Sequence, residues 1–198
     1  MATNYVLIDF ENVHPKNLEL LTKHPFKVFV FVGASQTKLP FDLADSMQLL
    51  GNDAKYIKIS GNGQNALDFH IAYYVGELAG KDPDAKFHII SKDKGFDPLI
   101  RHLQSRKIRI KREKDIAEIP LLRVPITTSS DEKIAAIVKN LGGRGQSRPR
   151  KVRTLENTIN TLFTKKLDRE ELSTLTKELQ KRKLIVVNKG NVSYKLPH

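Results

Sequence analysis

The stretch "YVLIDFENV" (residues 5–13) decides how the first half of this chain is read. Tyr5 to Asp9 are aromatic, β-branched or aliphatic up to the last position, with no Gly or Pro, and read as a buried strand. The run then meets Asp9, Glu11 and Asn12, three groups that gain nothing from a core. In an open parallel sheet, ligands bind outside the carboxyl ends of the strands, so an acid at a strand end belongs to a site.

Four further short runs share this character: "KVFVFVG" (27–33), "KYIKIS" (55–60), "KFHIIS" (86–91) and "KIRI" (107–110). Turn formers bound them. Helical spacing fills the gaps. Leu18, Leu20 and Leu21 follow Pro15, and Leu43, Met47 and Leu50 follow Pro40. Leu67, Ile71, Tyr74, Val75 and Leu78 form a stripe within 66–79, and Leu99, Ile100 and Leu103 follow Pro98 in a last turn and a half. Strands alternating with helices predict parallel βαβ units in a three-layer α/β/α domain.

Beyond residue 110 the pattern changes. "KREKDIAEIPLLRVPITTSS" (111–130) reads as an exit segment, and "SDEKIAAIVKNLGG" (130–143) as a helix capped by Ser130 or Asp131 and stopped at Gly142 or Gly143. "RGQSRPRKVR" (144–153) reads as a mobile basic arm. Two more helices follow, "TLENTINTLF" (154–163) and "DREELSTLTKELQKRK" (168–183), the latter capped by Asp168. The hairpin "LIVVNKGNVSYKL" (184–196) turns at "NKGN". Three helices and a hairpin are the plan of a winged helix. The expected domains are 1–125 and 126–198, with the arm at about 142–153.

Bulk properties narrow the function. The 198 residues contain no cysteine, which excludes disulfides, thiolate metal sites and a cysteine nucleophile. No apolar run is long enough to span a bilayer, and "MATNYVLIDF" lacks the charged start and cleavage site of a signal peptide. A soluble, cytoplasmic protein with no membrane partner is expected. The net charge of +12 is uneven: residues 1–130 hold 18 Lys/Arg against 15 Asp/Glu, and residues 131–198 hold 16 against 7. A concentrated excess of this kind attracts polyanions and points to nucleic acid.

Acids recur where βα units deliver side chains to one rim. Asp9 ends the first strand, Asp93 follows the fourth in "SKDKGFDPLI" (91–100) with Asp97 one turn later, and Asp68 opens the helix after "GNGQN" (61–65). Converging carboxylates repel one another and persist together when a cation offsets them. Oxygen ligands select Mg²⁺ or Mn²⁺, and two such ions about 4 Å apart can drive phosphodiester hydrolysis. Singly, each acid could instead cap a helix or complement its dipole. "GNGQN" could bind a phosphate through backbone N–H groups, although it lacks the Lys-Ser/Thr ending of a P-loop. No two of the six histidines have metal spacing; His70 reads as structural, and Tyr73 and Tyr74 as core.

"LIDFENV" (7–13), "ALDFHIAYYVGELA" (66–79) and "IISKDKGFDPLIRHL" (89–103) resemble the three signature segments of the NYN/PIN-like nuclease family, over about residues 4–110. The resemblance implies a Rossmann-like PIN fold and Mg²⁺- or Mn²⁺-dependent endonucleolytic cleavage, usually of RNA. Carried over by position, Asp9, Asp68 and Asp93 would be the metal carboxylates. Asn12 would orient Asp9 or touch substrate, and Ser91 would brace the Asp93 loop. Many relatives carry a second acid two residues after the Asp93 position; this chain has Gly95 there, so Asp97 could substitute from the next turn.

Basic residues complete the expectation. Lys92 and Lys94 flank Asp93, and "RHLQSRKIRIKREK" (101–114) has seven Lys/Arg and one acid. Strand alternation would place Lys107, Arg109 and Lys111 on one face, for substrate contact or for protection of a sheet edge. The C-terminal part resembles winged helices generally and the OST-HTH/LOTUS type more loosely, on the pattern "KLDREEL…RKLIVV…VSYKLP". Lys177, Lys181, Arg182 and Lys183, with Lys189 in the wing and Arg144, Arg148, Arg150, Lys151 and Arg153 in the arm, would hold phosphates without reading sequence. The expected function is a metal-dependent endoribonuclease whose C-terminal module aids nucleic-acid binding. The alternatives are a weak or inactive PIN-like binding or adaptor protein, with a protein partner on the C-terminal module, or a DNA or structure-specific nuclease.

Overall fold

The computed structural model describes residues 2–15, 18–145 and 148–197. The chain folds as two units, Met1–Ile116 and Ala117–His198. Among the described residues no helix is long and apolar enough to cross a membrane.

The first unit is built on five parallel strands: β1 (Asn4–Asp9), β2 (Phe26–Val32), β3 (Ala54–Lys58), β4 (Lys86–Ile90) and β5 (Arg109–Glu113). They lie in the order β3-β2-β1-β4-β5. A 3-10 turn (Leu18–Lys23) joins β1 to β2, α1 (Phe41–Leu50) joins β2 to β3, α2 (Ala66–Lys81) joins β3 to β4, and α3 (Phe96–Ser105) joins β4 to β5. The chain winds one way from β1 to β3, then crosses to β4 and winds the other way. Right-handed crossovers therefore put α1 on one face and α2 and α3 on the other.

Strands covered on both faces carry no polar stripe. Tyr5 and Leu7 of β1 point into a core with Phe31, Ile71, Val75, Phe87, Ile89, Phe96 and Ile100, while Val6, Ile8, Val28 and Val30 are buried on the opposite side. β1 pairs with both β2 and β4, so the winding reverses between β1 and β4. That gap is the topological switch point, and it opens at the carboxyl ends where Asp9 and Asp93 lie.

Two elements of this unit differ from the sequence reading. β5 starts at Arg109, because Lys107 adopts a left-handed backbone (φ 66°) that closes α3, and Ile108 N–H donates to the Leu103 carbonyl. α3 runs ten residues from Phe96, well beyond a turn and a half. Pro98 sits in its first turn, where its missing N–H leaves nothing unsatisfied.

The second unit holds α4 (Ser130–Gly143), α5 (Val152–Thr161), α6 (Arg169–Lys181) and an antiparallel hairpin of β6 (Ile185–Asn188) and β7 (Asn191–Tyr194). Lys189 and Gly190 have φ of 46° and 75°, the positive pair a two-residue hairpin loop requires. Ile134, Ile137, Leu141, Leu155, Ile159, Leu175, Leu179 and Ile185 are buried. Lys133 pairs with Glu171, and Arg182 with Asp131 and Glu178, tying α4 to α6.

The exit segment is more structured than its composition suggests. It contains 3-10 turns at Ile116–Glu118 and Pro120–Leu122, and Val124 bridges to Phe163, so the boundary falls at 116/117 instead of 125/126. The described part of the basic arm is pinned. Arg148 Nε donates to the Leu141 carbonyl at 2.7 Å, its guanidinium stands 5.7 Å from the Tyr194 ring centre, and Lys151 bridges to Asn191. Gln146 and Ser147 lie outside the described residues.

The N-cap of α4 is Ser129, one residue before the expected pair. Its hydroxyl accepts from Glu132 N–H, and the Glu132 carboxylate accepts from Ser129 N–H, a full capping box. Ser129→Ala is therefore expected to cost about 1 kcal/mol, and Ser130→Ala under about 0.5 kcal/mol, in urea denaturation of the full chain.

Candidate active site

Asp9 is the last residue of β1 and is fully buried. A buried carboxylate is costly unless its oxygens are hydrogen-bonded. The chain turns helically after the strand, with Val13 N–H donating to the Asp9 carbonyl at 2.9 Å, and this swings Asn12 back over the acid. Asn12 Nδ2 donates to Asp9 Oδ2 at 2.8 Å and Asn12 N–H to Oδ1 at 3.2 Å.

Ser91 follows β4 and is also buried. Its hydroxyl donates to Asp9 Oδ2 at 2.7 Å and accepts from Asp93 N–H at 3.0 Å. One hydroxyl thus joins two acids that lie 84 positions apart in the sequence. Asp93 Oδ1 accepts from Gly95 N–H at 2.7 Å as the chain enters α3. A Cβ at position 95 would lie 3.2 Å from that oxygen, so a side chain there would press on the Asp93 carboxylate.

Asp68 lies in the first turn of α2. Its pKa is pushed up to about 6, first by burial and then by the charges of Asp9, Asp93 and Glu11. Four carboxylates therefore share one rim. Glu11 was not among the sequence candidates for this site. Its carboxylate lies over the end of β2, where a Cβ on Gly33 would stand 2.2 Å from Oε1. The available signals were an acid two residues after Asp9 and a glycine closing the second strand. His70 is structural: Nδ1 donates to the Ala66 carbonyl at 2.7 Å and Nε2 accepts from Ser60 N–H at 3.4 Å.

The donor chemistry suits a hard divalent cation. The spacing is looser than a coordination sphere: among the described residues no three His, Cys, Asp or Glu side chains converge closely enough to hold one ion. Asp9 has both oxygens hydrogen-bonded, whereas Glu11 is exposed and Asp68 and Asp93 are half-buried.

A family model described as a PIN domain matches residues 3–113. The chain belongs to the PIN domain family. PIN domains are generally nucleases and typically use divalent metals such as Mg²⁺. No curated protein and no solved structure matches the chain. All four carboxylates lie within the PIN domain.

Asp97, expected as a candidate substitute for an acid at position 95, is engaged by Arg112. Its carboxylate pairs with Arg112, at 2.8 Å from Nε and 3.2 Å from Nη2, and the Arg112 hydrogen bond holds its pKa below the usual carboxylate range. Arg112 Nη1 also donates to the Ser91 carbonyl at 3.1 Å, so the pair braces the loop behind Asp93.

The basic candidates of the PIN domain divide by position. Lys92 and Lys94 flank Asp93 and are exposed at the rim. Arg109 opens β5 in register with Lys86, at the opposite edge of the sheet, roughly 13 Å below the rim by strand rise, and its guanidinium pairs with Asp84. Lys111 is exposed midway along the edge strand.

In the second unit several expected phosphate contacts are committed to the fold. Arg144 Nε donates to Asn140 Oδ1 at 2.8 Å and Nη2 lies 3.6 Å from Glu118. Arg148 holds α4 carbonyls, and Arg182 holds Asp131 and Glu178. Arg150, Lys151 and Lys181 remain exposed, Lys181 with Glu178 at 3.9 Å.

Asp68 gives a pH prediction. Its folded pKa lies above the ordinary 3.8, so the folded state binds that proton more tightly and loses stability as pH rises through about 6. Asp68→Asn should melt above the parent at pH 7, and the difference should vanish as pH falls toward 4. A parallel pair of melting curves over pH 4–8 measures this; a constant difference would contradict it.

Proposed function

We propose that this chain is a divalent-metal-dependent endoribonuclease of the NYN type, with a winged-helix second unit that holds nucleic-acid phosphates. The observation that carries the reading is the Ser91 hydroxyl, which binds Asp9 and the Asp93 backbone together at the switch point, within electrostatic reach of Asp68 and Glu11. When bound, a Mg²⁺ or Mn²⁺ ion supplies the charge that activates water and stabilises the leaving oxygen of a phosphodiester. Asp9, Asp68, Asp93 and Glu11 are the residues that would hold it, and they would have to draw closer together than they stand in this structure.

The chain's own groups do the rest. Asn12 and Ser91 fix the Asp9 carboxylate in one orientation before any ligand arrives, which lowers the reorganisation needed on binding. Lys92 and Lys94 place ammonium groups on either side of Asp93, where they can draw a phosphate backbone to the rim without reading its sequence. Arg150, Lys151, Lys177 and Lys181 extend this to the second unit, whose order of helices and terminal hairpin supports the winged-helix reading.

A second reading draws on Gly95 and the loose spacing of the acids. It is a PIN-fold nucleic-acid-binding or adaptor protein without turnover, in which the second unit recruits RNA or a protein partner. Labelled RNA and DNA, each incubated with Mn²⁺ or with EDTA, separate the two readings and fix the substrate sugar.

Asp9→Asn and Asp93→Asn should each lower Mn²⁺-dependent RNA cleavage by about 100-fold or more, the scale of losing one preorganised group at a reacting centre, while RNA binding in EDTA persists. Unchanged cleavage by both variants rejects the site. Lys92→Ala and Lys94→Ala should each flatten the dependence of log affinity on log salt by about 0.7 for single-stranded RNA. An unaltered slope removes them from the interface.

A further inference from the structure

The outward face of α2 carries two aromatic rings that packing does not explain. Phe69 is 69 % exposed and Tyr73 65 % exposed, one turn apart on the same side of the helix. Leu67, Ile71 and Val75 occupy the buried side. Gly76 and Gly80 continue the outward side with open space around them, and Glu77, one turn after Tyr73, is engaged in an ion pair with Lys81.

Tyr73 was expected in the core, but only Tyr74 goes there. The Tyr74 ring lies edge-on to Phe31 at 5.2 Å and 6.1 Å from Phe29. Tyr73 stands perpendicular to Tyr74 at 5.7 Å and is steadied by a ring that is itself anchored. Phe69 directly follows Asp68, so the aromatic face begins beside the acids. The β2–β3 register sets Lys55 opposite Phe29, on the α2 side of the sheet, whereas Lys58, opposite Val32 at the end of β3, projects to the other face. Both lysines are exposed and have no ion-pair partner among the described residues.

We propose that Phe69 and Tyr73 form a base-stacking platform for single-stranded nucleic acid, with Lys55 meeting its phosphates and the strand leading onto the acid rim. This rests on the nucleic-acid reading of the site and deepens it. Exposed aromatic rings and an unpaired cation on the same side of the sheet match a polymer of π-faced bases and phosphates. In a duplex the base faces are already stacked on their neighbours, so only unpaired nucleotides can use such rings. The platform therefore selects single strands and tolerates any sequence.

The test uses the full chain in EDTA, which separates binding from cleavage. A single-stranded RNA carrying 2-aminopurine reports affinity and base stacking, beside a hairpin duplex of equal length. Phe69→Ala and Tyr73→Ala should each weaken single-strand binding about tenfold and relieve the fluorescence quenching. Phe69→Trp should retain both, and Leu49→Ala, equally exposed but at the far end of α1, should change neither. A parent that binds and quenches in EDTA but does not cleave with Mn²⁺ fails the cleavage reading alone, so a failed cleavage site and a failed platform give different results. Parental affinity and quenching in both alanine variants overturn the proposal. So does loss of a dimer with RNA affinity unchanged, which would assign the face to a second copy of the chain.

Discussion

The hydroxyl of Ser91 is the joint on which the candidate site depends. It donates to a carboxylate at the end of β1 and accepts from the backbone that carries a second acid after β4. This works because β1 and β4 are neighbours in the sheet while far apart in the chain. Asp9 is fully buried, and the three donors supplied by Ser91 and Asn12 offset the cost of keeping an acid there. Arg112 then fastens the Ser91 carbonyl, and Asp97 fastens Arg112. Sheet order, strand ends and polar bonds thus converge on one small volume at the rim.

The same convergence places four acids where they oppose one another. Burial first, and then the repulsion of Asp9, Asp93 and Glu11, raises the proton affinity of Asp68. Two glycines give the carboxylates room: Gly33 lets Glu11 lie over the end of β2, and Gly95 leaves Asp93 uncrowded while donating to it. Such an arrangement is strained without a counter-charge and is eased by a cation or by protonation. A rim of this charge repels phosphates unless lysines such as Lys92 and Lys94 and a metal reverse its sign locally.

Much of this could be read in the sequence because it is local. An apolar run ending in Asp9, the asparagine three residues on, and the serine two residues before Asp93 are properties of short segments. What was missed depends on contacts that no short segment contains. By sequence Asp97 was free to enter the site, but Arg112, fifteen residues later, takes both its oxygens. Glu11 matters because of where β2 ends. Arg144, Arg148 and Arg182 stand in basic clusters of the sequence, and clustering does not reveal the acids and carbonyls on other turns that pair with them. Tyr73 and Tyr74 are adjacent and alike, and only the helix's docking angle separates the core ring from the exposed one.

The acids at the rim are proposed to gather a divalent ion. Calorimetric titration of the full chain with Mn²⁺ tests this most directly, comparing the parent with Asp9→Asn and with Asp93→Asn. Saturable binding in the parent, lost or greatly weakened in both variants, is the expected result. Equal Mn²⁺ binding by all three proteins, or none by the parent, would contradict a metal site on this rim.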